Sequence, residues 1–268
     1  MNIIFLSSET THHFYLINEI HKCCQVKKVF FQTAHTVQKS FGQKIQKLAK
    51  ARNYRSLVKG ILNRLLFGRE RLLEEQFERE YFFNGQRPYL DSAIPCERVK
   101  SFNDPQAVEV IKKESPDLII VFGTDILKGD ILRIAKLNIL NIHRGILPKY
   151  RGGGIPSWMF YQNDFENIGT TVHVCSDRLD GGDIVGQKFY SLQKDDKIYT
   201  LRGKTTMLAV EILKDVINKI KNGTLTYQKQ EYAKAWSSKD LTIMKELAAR
   251  RNLNRYIHSL NNQRKTNA

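Results

Sequence analysis

Three residues in this chain have the types and spacing to do chemistry: Asn141, His143 and Asp180. An Asn side chain can donate an N–H to a developing oxyanion. A His titrating near neutrality can accept and return a proton. A carboxylate nearby can raise the His pKa, hold the ring in one orientation or organise a proton-carrying water. Together they suit a reacting carbonyl that passes through a tetrahedral intermediate. Asn141 and His143 lie two apart, so a regular strand presents both on one side. Nothing local brings Asp180 to them. Taken singly, Asn141 also reads as a strand-end residue, His143 as a structural histidine, and Asp180 before Gly181 and Gly182 as an ordinary turn.

The elements that must position these groups follow from periodicity. Residues 2–6 and 117–122 are apolar runs, as expected of buried parallel strands. Residues 11–22 have helical spacing, and 28–32 form a short second strand, so the chain opens as a βαβ unit. The Gly-rich turn of a dinucleotide fingerprint is missing, because Ser7-Ser8-Glu9-Thr10-Thr11 follows the first strand. Residues 126–134 read as helix. Residues 137–142 read as a buried strand that delivers His143 at its carboxyl end, the edge where open α/β sheets bind ligands. Residues 170–175 and 184–189 read as strands, 199–222 as a helix stopped by Gly223, 224–234 as a terminal strand, and 241–260 as a basic helix. Pro156 suits the first turn of a short helix. The tail around 261–265 reads as frayed. The fold class is α/β, a Rossmann-like, mostly parallel sheet flanked by helices. Its organisation is a catalytic domain over 1–222, with a basic helical insertion over 39–88, and a strand/helix extension over 223–268.

Composition bounds the surroundings. The formal net charge is +16, with nine Lys/Arg and no acid over 39–69. Such charge favours phosphate-bearing partners or an anionic surface, although a solvated basic face is the simpler reading. Leu57/Val58, Ile61/Leu62 and Leu65/Leu66 form an apolar stripe expected to rest on the protein's own sheet. Gly60 and Gly68 argue against one unbroken helix there. No apolar run approaches the roughly 20 residues that span a bilayer. The start reads as a strand, not a signal peptide. Cys23, Cys24, Cys96 and Cys175 have neither metal-site nor disulfide spacing, which fits a reducing cytoplasm and no metal.

The run from Asn141 through Leu147-Pro148-Lys149-Tyr150-Arg151-Gly152, followed by Leu179-Asp180-Gly181-Gly182, resembles the folate-dependent formyltransferases, most closely the sugar N-formyltransferases. The resemblance covers residues 117–221 most firmly. It implies that Asn141, His143 and Asp180 form the catalytic centre. It implies N10-formyltetrahydrofolate as formyl donor, its pterin held by Gly123, Ile126, Leu127 and Leu132 and by the loop Ser176, Asp177, Arg178 and Leu179. The acceptor is expected beside Arg144, Lys149, Tyr150 and Arg151.

The resemblance narrows the acceptor to a primary amine on a small molecule. Glu9 stands where glycinamide ribonucleotide formyltransferases present a phosphate-binding turn, which disfavours that acceptor. Residues 150–158 resemble methionyl-tRNA formyltransferases, and the basic charge would suit tRNA. Those enzymes carry a C-terminal barrel, whereas the 45 residues after Gly223 read largely as helix. The expected acceptor is therefore an amino sugar attached to a nucleotide, in surface-polysaccharide (O-antigen) synthesis, with nucleic acid disfavoured and a homodimer left open. A methionyl-tRNA formyltransferase-like enzyme, a formyltetrahydrofolate hydrolase and a basic nucleic-acid-binding protein remain as alternatives.

Overall fold

A computed structural model describes residues 1–33, 54–231 and 233–262 of the chain. The basic segment over 39–53 and the terminal residues 263–268 lie outside the described residues.

Seven strands form one sheet: β1 (Ile3–Ser7), β2 (Val26–Gln32), β3 (Cys96–Val99), β4 (Leu118–Phe122), β5 (Asn138–His143), β6 (Gly169–Val174) and β7 (Ile184–Phe189). Their order is β3-β2-β1-β4-β5-β6-β7. The first five run parallel, and β6 and β7 are antiparallel additions. Every residue of β1 and β4 is buried. That burial explains why their sequences, IIFLS and LIIVF, do not alternate: both faces of the sheet are covered.

Among the described residues the α-helices are α1 (Thr11–Cys24), α2 (Tyr54–Phe83), α3 (Pro105–Lys113), α4 (Ile155–Tyr161), α5 (Leu201–Lys221) and α6 (Ile243–Asn262). One face of the sheet packs Leu140 and Ile142 with α1 and with Ile212, Leu213 and Val216 of α5. The other face packs Ile139 with Val108 and Ile111 of α3. Since Ile139 shares its face with Asn141 and His143, the two-residue period places both polar groups on the α3 side. A third cluster joins α4 to Ala249, Leu253 and Ile257 of α6.

The chain leaves β1 toward β2 and β3, then returns to place β4 on β1's other side. This reversal creates a crevice at the carboxyl ends of β1 and β4, where open α/β sheets take their ligands. Gly123 closes the end of β4 with φ +67°, and a Cβ there would lie 2.4 Å from the His13 ring. Only glycine tolerates both the conformation and the approach.

Several expectations need correcting. Residues 126–134 contain only a 3₁₀ turn at Gly129–Arg133. A glycine in a left-handed conformation starts that turn, which a regular α-helix would not accommodate. Residues 224–234 form no named strand: Gln228 bridges Ile184, and Trp236 bridges Gly152. Helix α2 runs unbroken for 30 residues through Gly60 and Gly68, where open space surrounds both backbones. The glycine cost in a helix, about 1 kcal/mol each, is borne by the rest of the helix. The stripe on its first half does not rest on the sheet either, since Ile61, Leu62, Leu65 and Leu66 are exposed. Packing begins lower, where Phe67, Phe83 and Glu78 are buried. No described helix is long and apolar enough to cross a membrane.

Candidate active site

The end of β5 sets the site. Antiparallel pairing places Asn141 opposite His173 and His143 opposite Thr171. Thr171 Oγ1 donates to Gly145 O at 2.6 Å and accepts from Leu147 N at 3.2 Å, and Gln187 Nε2 donates to Leu147 O. These bonds hold the turn after β5, which includes a cis Leu147–Pro148 bond. The chain is thereby folded back so that Tyr150 O accepts from His143 Nε2 at 2.6 Å.

A carbonyl can only accept, so Nε2 of His143 carries the proton. The other nitrogen, Nδ1, faces Asp180 Oδ2 across 3.6 Å. Burial pushes the His143 pKa below the ordinary imidazole value, although Asp180 and the Tyr150 carbonyl raise it in part. His143 is therefore neutral near pH 7, with its Nδ1 lone pair free to take a proton.

Asp180 is bound from several sides. Gly152 N donates to Oδ2 at 2.9 Å. Burial raises its pKa, but His173, His143 and the Gly152 N–H together carry it below the usual carboxylate value. Its own backbone is left-handed, with φ +47°. The loop around it is locked from outside: Arg151 donates to Leu179 O at 2.6 Å and to Ala233 O at 2.9 Å, and Gln230 Nε2 to Asp180 O at 3.1 Å. At Gly182 a Cβ would lie 1.9 Å from Val174 O, so a side chain there would push the loop away.

His173 is a site residue that spacing on β5 alone does not reveal. Its Nδ1 donates to Val174 O at 2.9 Å, which leaves Nε2 to accept from Asn141 Nδ2 at 3.1 Å. The amide of Asn141 is thus oriented with nitrogen toward His173 and, at 3.4 Å, toward Asp180 Oδ1. The signal in the sequence was a histidine at alternate spacing with Thr171 on a predicted strand.

Beside these groups is a slot. Ile126, Leu127, Leu132 and Cys175 form apolar walls, and Ser176, Arg178 and Leu179 line the slot with Asn141 and Asp180, whereas Asp177 does not line it. Ile126 and Leu179 remain substantially exposed. Burial, with the Asp180 carboxylate nearby, pushes the Cys175 thiol up to about 12. The slot can take a flat heteroaromatic ring, read at its edge by backbone N–H and C=O groups. Gly123 packs on His13 instead of lining this slot.

The four residues expected near an acceptor divide into two kinds. Arg151 is committed to the Asp180 loop. Tyr150 is buried, and its hydroxyl donates to Asp164 Oδ2 at 2.6 Å, a carboxylate that Lys149 also holds at 2.5 Å. Arg144 has no hydrogen bond or ion pair among the described residues. Glu9 is paired with Arg98 at 2.5 Å.

The formyl transferase family model matches residues 1–217. The chain belongs to the formyl transferase family. Across 131 residues it is 31% identical to a methionyl-tRNA formyltransferase of Caldanaerobacter subterraneus subsp. tengcongensis, a match covering 48% of this chain and 42% of that relative's length. A 4-N formyltransferase from Francisella tularensis superposes with a TM-score of 0.56 at 18% identity, over 92% of this chain and 86% of that one. The sugar 3N-formyl transferase WlaRD, solved in the presence of dTDP and 5-N-formyl-THF, gives 0.56 at 15% identity, over 93% and 78%. At such identities the structural likeness establishes the shared fold.

Proposed function

We propose that this protein transfers the formyl group of N10-formyltetrahydrofolate to a primary amine, and that the amine belongs to a nucleotide-linked amino sugar. One observation carries the reading: Asn141, His143 and Asp180 meet at a single point, with a neutral His143 Nδ1 facing the carboxylate. The slot of Ile126, Leu127, Leu132, Ser176, Arg178 and Leu179 suits the pterin of the donor. The donor supplies an activated formyl carbon.

The chain's residues would then act as follows. The amine nitrogen forms a bond to the formyl carbon, and the carbonyl oxygen becomes an oxyanion that takes over the Asn141 N–H directed, in the free protein, at Asp180 Oδ1 across a long 3.4 Å. The proton lost by the amine goes to His143 Nδ1, whose imidazolium is stabilised by Asp180. The bond from the formyl carbon to the donor nitrogen breaks, and the same proton returns to that nitrogen. Atoms and charge balance with no further reactant.

Two things support an amino-sugar acceptor. Structural neighbours include sugar N-formyltransferases. The residue after His143, Arg144, is a cation without a hydrogen bond or ion pair among the described residues, suited to a phosphate. The 31% identity to a methionyl-tRNA formyltransferase favours a second reading, with aminoacyl-tRNA as the amine. A panel of amino-sugar nucleotides and methionyl-tRNA, each incubated with the formyl donor, separates the two. The proposal expects one added CO unit on a sugar nucleotide by mass spectrometry; formylation of methionyl-tRNA alone would overturn it.

A further inference from the structure

A second cavity, of about 220 Å³, opens behind the β5 turn. Four arginines line it: Arg71, Arg144, Arg202 and Arg250. Two of them are already neutralised. Arg202 is clamped between Glu74 at 2.7 Å and Glu78 at 2.5 Å, and Arg250 between Glu70 and Glu246. Arg144 is held by nothing among the described residues. It is largely enclosed: burial first, then Arg202, lowers its pKa, while Glu74 and Glu78, both engaged by Arg202, partly offset this from a distance. An enclosed guanidinium with no carboxylate in direct contact keeps its hydrogen-bond donors open for an incoming anion.

We propose that Arg144, backed by Arg202, receives phosphate oxygens of the acceptor, as the anion subsite of the transfer reaction. This rests on the acceptor reading above and deepens it. Arg144 follows His143 directly, so their Cα atoms lie about 3.8 Å apart. None of Asn141, His143 and Asp180 lines the cavity, so an acceptor anchored on Arg144 must reach round the β5 turn to His143. The guanidinium fork matches paired phosphate oxygens. Tyr199, also on the wall, offers a hydroxyl group to the rest of the ligand, while the Ser157 hydroxyl donates to Glu246. Arg144 is the enclosed anchor at the β5 turn, and exposed Arg71 stands on the same wall.

The test uses the full-length protein, two probes (inorganic pyrophosphate and UDP), and the variants Arg144→Met and Arg144→Lys. Both probes should raise the Tm of the unmodified protein, less so at high salt. Arg144→Met should weaken their binding at least about tenfold, the range of one charge-assisted anion contact, and Arg144→Lys should restore part of it. Without probe, Arg144→Met should keep or raise the Tm, since it removes a charge that faces Arg202. Its affinity for 5-formyltetrahydrofolate should be unchanged. Both probes should also compete with the amine acceptor in transfer assays. Equal probe affinity in all three proteins would overturn the site. Arg144-dependent binding that does not compete with the acceptor would show a free-anion site and overturn the assignment to the acceptor. If no sugar nucleotide is formylated while Arg144-dependent UDP binding persists, the acceptor reading fails and the anion site survives it.

Discussion

His143 Nδ1 and Asp180 Oδ2 stand 3.6 Å apart with no proton fixed between them, because the ring's only proton is committed to Tyr150 O. Two acceptors facing each other leave a gap that a donor must fill. The attacking amine is such a donor, and so is the protonated ring once the amine has reacted. Replacing Asp180 by Asn removes the charge that stabilises this imidazolium while keeping the shape. Turnover should fall by about 100-fold or more, the usual worth of acid–base catalysis. Circular dichroism and Tm should stay near those of the unmodified protein. A near-normal kcat for Asp180→Asn would remove the carboxylate from the mechanism.

His173 acts through Asn141, so its removal should reduce kcat and leave the KM of the formyl donor nearly unchanged. His173→Gln should cost roughly tenfold, and Asn141→Ala more, because an oxyanion donor is worth about 10²–10³ in kcat. The double variant should be little worse than Asn141→Ala alone, since residues in one network are not additive. Additive losses would show that His173 does something other than aim the amide.

Glycine substitutions separate the catalytic loop from the remote helix. Gly182→Ala drives a Cβ toward Val174 O and displaces Asp180, two residues away. Overpacking of this kind costs about 1–3 kcal/mol, and kcat should fall by more than the loss of folded protein explains. Gly60→Ala meets nothing within 4 Å on exposed helix α2. It should stabilise by roughly 0.5–1 kcal/mol and leave kcat alone. Thermal melts paired with initial rates read both outcomes.

Stability should depend on pH through buried histidines. Burial lowers the pKa of His12, His13 and His143 below the ordinary imidazole value. The unfolded chain then binds more protons than the folded one below about pH 6.5, so stability rises with pH in that window. The Tm should be highest above about pH 6.5 and decline as acid approaches the depressed pKa values. His13→Asn should flatten that decline. A Tm independent of pH between 7.5 and 5.5 would contradict the burial of these rings as neutral groups.

Much of this site could be read from the sequence because its residues sit on strands. The two-residue period alone placed Asn141 and His143 on one face, and the apolar run before His143 put that face at a strand's carboxyl end. The contact with Asp180 depended on a loop held by Arg151, Gln230 and Gly152, three partners scattered over 80 residues, and no local pattern encodes that. His173 was hidden for a similar reason: its role comes from cross-strand register with Asn141. The amphipathic stripe on α2 misled because periodicity shows that a helix has an apolar face and not what covers it. Arg144 and Arg151 looked alike as basic residues near His143. Only the fold separates the one locked to carbonyls from the one left unpaired.

The central claim is that Asn141, His143 and Asp180 together move a formyl group from folate to an amine. The most direct measurement is a single-turnover reaction with N10-formyltetrahydrofolate labelled in its formyl carbon, in the presence of the amino-sugar nucleotide found by the panel, comparing the unmodified protein with His143→Asn. The account predicts that the label appears on the acceptor nitrogen in the unmodified protein and at least about 100-fold more slowly in His143→Asn, with the donor bound equally well by both. Label released as formate whether or not the amine is present, or transfer at the same rate by both proteins, would contradict it.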